Sequence, residues 1–425
     1  MRTAIVGIAL FLLGAGSAAA VQPPEGTEWS VRLRTSAYAF QSYDQGAELD
    51  RLGGYQHFDG YLGGLAHGKL AFRVGGRFAD DLYLKERVHQ RERLHVGFAE
   101  GRLGAASRVR LGRQFMQEGP NSLRLDGLWF DLRPMRRWQL HGWAGAQSPA
   151  SLAYEAGSLG DDAALGVRIT GQPVSLMRVA LSWAYREDGG AVAARPLGLE
   201  LNTHPMPCLR AIAQGSYDLS EEMWDRVTAQ GQILGGEHAP TITLQYLDRR
   251  PRIESSSYFA RFLDDVERIR IGRASARYET PRGIGGEIEY FGSYVEDRTS
   301  ARIGAAIVVP YVRVGYSTRV GDNGEEGRWY GDAHVEPLRW LTLQGGAAIS
   351  TYALMEDAPE AEERDLTTAF GRIRAELRPG MALTAEVQSL EDPLFSKDVR
   401  FLAGLDLFAG GGRTRYGLGT GGWWQ

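Results

Sequence analysis

The chain is 425 residues long, with a formal net charge of −4 and a mean hydropathy of −0.29. That balance, with no long basic patch, excludes an electrostatic nucleic-acid binder. The single cysteine, Cys208, excludes an intrachain disulfide, and without a C-x-x-C-H motif the chain attaches no c-type haem itself.

The first predicted element is the apolar stretch 4–20. It follows Met1-Arg2-Thr3 and ends in Ala18-Ala19-Ala20. A basic start, an apolar run and a small-residue A-x-A end predict a cleavable signal peptide over 1–20. Residues 21–26 (VQPPEG) read as a short mature lead. No second apolar run of that kind follows. The rest carries 55 glycines, with 15 Phe, 18 Tyr and 10 Trp, over many short segments that alternate apolar and polar residues. No linker or break in composition divides it, and no repeat of roughly 40–50 residues marks a propeller. The pattern predicts an all-β fold: a single transmembrane antiparallel β-barrel over 27–408, with roughly 16 to 22 strands. An exported barrel belongs in the outer membrane of a Gram-negative cell. A soluble-looking mean hydropathy is compatible with this, because only alternate residues of a barrel strand face lipid.

In chain order, strands are predicted at 28–42, 54–65, 68–78 and 92–104, joined by longer connections at 43–53 and 79–91. Segments 106–116 and 122–133 then form one hairpin around Gln117-Glu118-Gly119-Pro120-Asn121. With the turn centred between Gly119 and Pro120, Arg113 lies opposite Asp126 and Gly112 opposite Gly127. Val109, Leu111, Leu128 and Phe130 share one apolar face, and Arg113 and Asp126 continue it towards the turn. A charge on a lipid face costs least at the interface. Arg113 and Asp126 are therefore predicted to form a cross-strand ion pair at a partly wet rim.

Beyond the next connection, 148–161, residues 175–185 show the clearest period of two. Met177, Val179, Leu181, Trp183 and Tyr185 lie on one face, and Arg178, Ala180, Ser182 and Ala184 on the other. Segment 241–248 repeats the pattern. Segment 249–266 is basic at its start and acidic at its end; it reads either as an extracellular loop or as a loop folded into the lumen to narrow it. Segments 299–307, 311–319 and 371–377 alternate again, with a connection at 354–364 between the last two. Val312 and Val314 lie opposite Arg313, and Ile373 and Leu377 opposite Arg372, Arg374 and Glu376. Trp29, Trp129, Trp138, Trp183, Trp329 and Trp340 recur near strand ends, as an interfacial girdle requires. The last strong strand ends at Phe408. The Gly-rich tail 409–425 is either appended or a poor final strand.

The Leu111-Gly112-Arg113-Gln114 strand leading into Asp126-Gly127 resembles porin-like outer-membrane proteins, including alginate-export-type barrels. The wider 58–150 region is similar to the barrel subunits of porin–cytochrome electron conduits. The resemblance implies a barrel, and, for the conduit type, a multihaem cytochrome as partner.

Catalytic chemistry is not legible. Eight scattered histidines show no zinc-helix spacing, and there is no Gly-x-Ser-x-Gly elbow or P-loop. The chain therefore reads as a non-enzyme with no cofactor or metal. Only three of its 48 Lys+Arg residues are lysines, namely Lys69, Lys85 and Lys397. Either a GC-rich genome or an arginine-lined pore accounts for this. The inward faces are predicted to carry Arg178, Arg268, Arg270, Arg302, Arg313, Arg372 and Arg374, tempered by Glu287, Glu289, Glu376 and Glu386. Two functions follow as expectations. One is a channel for passive passage of small polar or anionic solutes, in contact with outer-membrane lipid. The other is a non-catalytic scaffold sheathing a multihaem cytochrome.

Overall fold

The computed structural model describes residues 26–44, 47–81, 92–104, 106–119, 121–148, 155–236, 239–250, 267–322, 324–353, 364–392 and 396–411. The predicted signal peptide, most of the 249–266 segment and the tail beyond Gly411 lie outside these.

The described chain is a closed antiparallel barrel of 22 strands. They are β1 (Glu28–Asp44), β2 (Ala47–Gly64), β3 (Leu70–Asp81), β4 (Glu92–Arg102), β5 (Arg108–Glu118), β6 (Asn121–Met135), β7 (Trp138–Gln147), β8 (Ala163–Val174) and β9 (Met177–Asp188). β10 runs as Ala191–Ala194 and Pro196–Met206, interrupted at Arg195 where its register on β9 shifts. Then come β11 (Leu209–Asp218), β12 (Met223–Ile233), β13 (Thr241–Arg249), β14 (Ile269–Glu279), β15 (Gly285–Val295) and β16 (Arg298–Val309). The last six are β17 (Val312–Gly321), β18 (Glu325–Leu338), β19 (Leu341–Ala353), β20 (Arg364–Arg378), β21 (Met381–Asp392) and β22 (Ser396–Gly411).

Every strand pairs with its neighbours in sequence, and β22 returns to β1, from Trp29↔Gly411 to Ala39↔Phe401. Closure removes the open edge and satisfies the wall's backbone polar groups within the sheet. The final strand runs three residues past Phe408, and β1 and β2 run into the 43–53 stretch that the sequence assigns to a connection. Connections from odd to even strands include the longest ones, and those from even to odd strands are short turns such as Arg136-Arg137 and Pro310-Tyr311.

Alternation sorts the side chains. One outward rung reads Ile242, Ala276, Ile288, Ala305, Tyr316, Trp329 and Ile349 across seven successive strands. Ile288, Trp329 and Ile349 on it are more than half exposed. Val312, Val314, Leu181, Ile373 and Leu377 are also exposed on the outside. A soluble protein would bury a belt of this extent, whereas a bilayer solvates it. Among the described residues, no helix is long and apolar enough to cross a membrane.

Trp129 departs from the girdle reading. It is buried, facing inward with Trp143, Met116, Leu123, Leu125, Ala164 and Ala184. A cluster of that kind inside a barrel needs something to cover it, and the cover is the β5–β6 hairpin.

Candidate functional site

The wall loses the hairpin at a corner made of three cross-paired glycines, Gly112, Gly127 and Gly145. A β-carbon on Gly127 would lie 2.3 Å from the Ala144 carbonyl oxygen, and one on Gly112 would lie 2.3 Å from that of Gly97. Gly112 also has φ +124°, which L side chains rarely adopt. Only glycine permits this close backbone approach. Beyond the corner, β5 pairs with β4 no further than Arg113↔Gly97, and β6 with β7 no further than Leu125↔Gln147. Residues 115–118 and 121–124 pair with each other as a two-stranded ribbon, tied to the wall at its root where the Ser148 N–H donates to the Arg124 carbonyl.

That ribbon lies inside the barrel. At its turn, a β-carbon on Gly119 would lie 2.9 Å from both Ser182 Oγ and Glu200 Oε1. Ser182 and Glu200 belong to β9 and β10 and face inward, opposite the exposed Leu181 and Leu199. Met116, Leu123 and Leu125 bury themselves against Trp129, Trp143, Ala164 and Ala184. The hairpin is thus folded against the inner wall of β7–β10, and apolar burial holds it there. Arg168 donates to Glu200 at 2.7 Å on the same wall.

The predicted pair sits at the root of this hairpin. Arg113 Nε and Nη2 donate to the two Asp126 carboxylate oxygens at 2.7 Å each. Arg113 also donates to the carbonyls of Leu94 and Glu155, and the Gly157 N–H donates to Asp126. The residue is 5% exposed. The surroundings therefore differ from the wet rim read off the sequence, because segment 155–157 covers the pair.

The opposite wall leaves open space. A cavity of about 800 Å³ lies along the inner faces of β14–β22. It is lined by Arg273, Arg302, Arg313, Arg328, Arg372 and Arg400, against Glu287, Glu289, Asp332 and Glu386. Most of these arginines are paired across the wall: Arg273–Glu289 at 2.5 Å, Arg313–Asp332 at 2.8 Å and Arg372–Glu386 at 2.6 Å. Arg302 reaches Glu289 at 3.4 Å.

The predicted lining residues divide. Arg302, Arg313 and Arg372 line the cavity. Arg374 and Glu376 share the Arg372 face nearer a short turn, 3.8 Å apart. Arg178 shares the inward face of β9 with Ala180 and Ser182. Arg268 and Arg270 are corrected. In β14 the inward residue is Arg273, so the even-numbered positions face out, and Arg270 pairs with the exposed Tyr294. Both arginines hold Asp248 on the outside, at 2.7 and 3.7 Å.

Sequence reading missed a ladder of bases on the inner face of the first four strands. Arg34 pairs with His57, His57 with Arg77, and Arg77 with Arg93. A β-bulge beside them adds His95, the residue skipped between Val96↔Gly75 and Leu94↔Gly76. His95 lies within electrostatic range of Arg77, Arg93, His57 and Arg124, the last reaching over from the hairpin root. Alternation in 54–65 and 68–78 places His57 and Arg77 on one face, but the bulge is invisible in it. Among the described residues, no cluster of His, Cys, Asp or Glu is arranged to hold a metal ion.

No protein-family model and no curated protein sequence matches the chain. Solved barrels do align. A BenF-like porin from Pseudomonas fluorescens Pf-5 matches at 10% identity over 91% of this chain and 99% of that one, with a TM-score of 0.45. Pseudomonas aeruginosa OccK2 (OpdF) matches at 9% identity over 91% and 98%, TM-score 0.45, and Acinetobacter baumannii OccAB1 at 8% over 91% and 97%, TM-score 0.41. Likeness at this level says nothing of this chain's substrate.

Proposed function

We propose that this chain is an outer-membrane porin-like channel for the passive passage of small polar solutes, with a mild preference for anions. The observation that carries this reading is the charged cavity of about 800 Å³ on the wall opposite an in-folded hairpin, inside a closed barrel with an apolar exterior. The barrel wall supplies passage, the hairpin narrows it, and charged side chains at the narrowed level select. Six arginines against four carboxylates around the cavity support the sign of the preference. The apolar belt supports lipid contact, and the A-x-A-ended N-terminal stretch supports export into a Gram-negative outer membrane. The reading assigns the chain no catalysis.

The test is liposome swelling. Purified protein in lipid vesicles should admit small sugars and amino acids, faster for anionic than for cationic ones of equal size. Vesicles that stay tight to all of them would refute passage.

Sheathing a multihaem cytochrome requires a wide, clear lumen. The hairpin laid across β7–β10 works against that, so the channel reading is preferred. Native purification with haem absorbance in stoichiometric amount would reverse the preference.

A further inference from the structure

We propose that the inner wall at the hairpin root is a binding site for a small, multiply charged tetrahedral oxyanion of the phosphate or sulfate type, held by Arg77, Arg93 and Arg124 beside His95. This deepens the channel reading and rests on it for the route by which the anion arrives.

Among the described residues, Arg77 Nε, Arg93 Nε and Nη2, and Arg124 Nη1 are buried and have no hydrogen-bond partner. A buried donor normally has a partner, and these four nitrogens are shut off from water although the guanidinium groups that carry them are only half-buried. Elsewhere in the lumen compensation is present, since Arg273, Arg313 and Arg372 each hold a carboxylate. Here it is missing. The charges that act on Arg93 are Arg77 and Arg113, both positive. The charges that act on His95 are Arg124, Arg93, Arg77 and His57. One carboxylate, Asp126, reaches Arg124, and Arg113 already holds both its oxygens.

The geometry also bears on ligand class. The orphaned donors come from three arginines on β3, β4 and β6, adjacent in register at Arg77↔Arg93 and all within electrostatic range of His95. A carboxylate offers two oxygens in one plane, which suits a single guanidinium fork. A tetrahedral oxyanion offers oxygens in several directions and more than one charge, which suits three guanidinium groups. The Arg113–Asp126 pair and the glycine corner hold Arg124 at the site, so the folded barrel sets it out before the ligand comes.

Two readouts test this. The first is channel current in potassium chloride, with inorganic phosphate, sulfate or acetate added at constant ionic strength near neutral pH. The second is the thermal midpoint of the detergent-solubilised barrel in the same salts, which needs no conduction. Phosphate and sulfate should reduce the current and raise the midpoint, and acetate should do neither. The Arg93→Gln/Arg124→Gln double variant should need about tenfold more phosphate, or more, for either effect. Arg136→Gln, in the exposed Arg136-Arg137 turn away from the site, should leave both effects unchanged. A channel that conducts chloride while phosphate leaves current and midpoint untouched overturns the site and leaves the channel reading standing. Acetate acting as well as phosphate overturns the ligand class. A silent barrel refutes the channel reading; the midpoint then decides the site alone, a phosphate-dependent rise lost in the double variant supporting it and no rise overturning it.

Discussion

Removing the Asp126 carboxylate would leave the Arg113 guanidinium with only the Leu94 and Glu155 carbonyls in a site from which water is almost excluded. Truncating one partner of a buried ion pair costs roughly 3–5 kcal/mol, because the survivor stays charged and uncompensated. Asp126→Ala should therefore lower the heat-modification temperature of the barrel markedly. Asp332→Ala breaks a pair whose side chains are 45% and 42% exposed. There the loss should be about 0–1 kcal/mol. Denaturant titration of both variants beside the parent checks the contrast; equal losses would mean the Arg113 site is wetter than its geometry. The same reasoning explains why exposure, and not the presence of a pair, sets what a charge contributes to this barrel.

The hairpin is the element in which sequence and structure part most instructively. The register around Gly119 follows from the turn, because a two-stranded ribbon pairs outward from its tip. What alternation does not encode is the bend at Gly112, Gly127 and Gly145, which takes the tip off the wall and into the lumen. Gly127→Ala places a carbon 2.3 Å from the Ala144 oxygen and should cost about 1–3 kcal/mol as overpacking. A gel-shift midpoint equal to that of the parent would count against the bend. Replacing residues 115–124 by a tight turn should uncover Trp129 and Trp143 and raise tryptophan quenching by a water-soluble quencher. Unchanged quenching would mean the hairpin does not cover them.

Other elements were legible for plain reasons. Residues 177–185 and 312–316 lie within the apolar belt, where polarity reports which face meets lipid. Arg268 and Arg270 misled because they lie just before and at the start of β14, next to a long connection, where both faces meet water and polarity carries no face information. Trp129 misled because a buried inward tryptophan and a girdle tryptophan have the same sequence signature.

The whole barrel has an outside that prefers lipid and an inside that carries its charges. Ile303 sits in the middle of β16, outward and 54% exposed. Ile303→Arg should cost roughly 2–4 kcal/mol if it lies near the bilayer midplane. Ser317→Arg, on the cavity-lining face of β17, should assemble normally. Urea unfolding from lipid vesicles separates the two; a tolerated Ile303→Arg would remove the apolar belt from the account.

Conduction through the lumen is read most directly by single-channel recording of the purified protein in planar bilayers, beside the variant in which residues 115–124 are replaced by a tight turn. A water-filled barrel narrowed by its own hairpin predicts discrete conductance steps for the parent, larger steps for the variant, and a reversal potential favouring anions in both. Electrical silence of both proteins, with heat-modifiable folding intact, would contradict it.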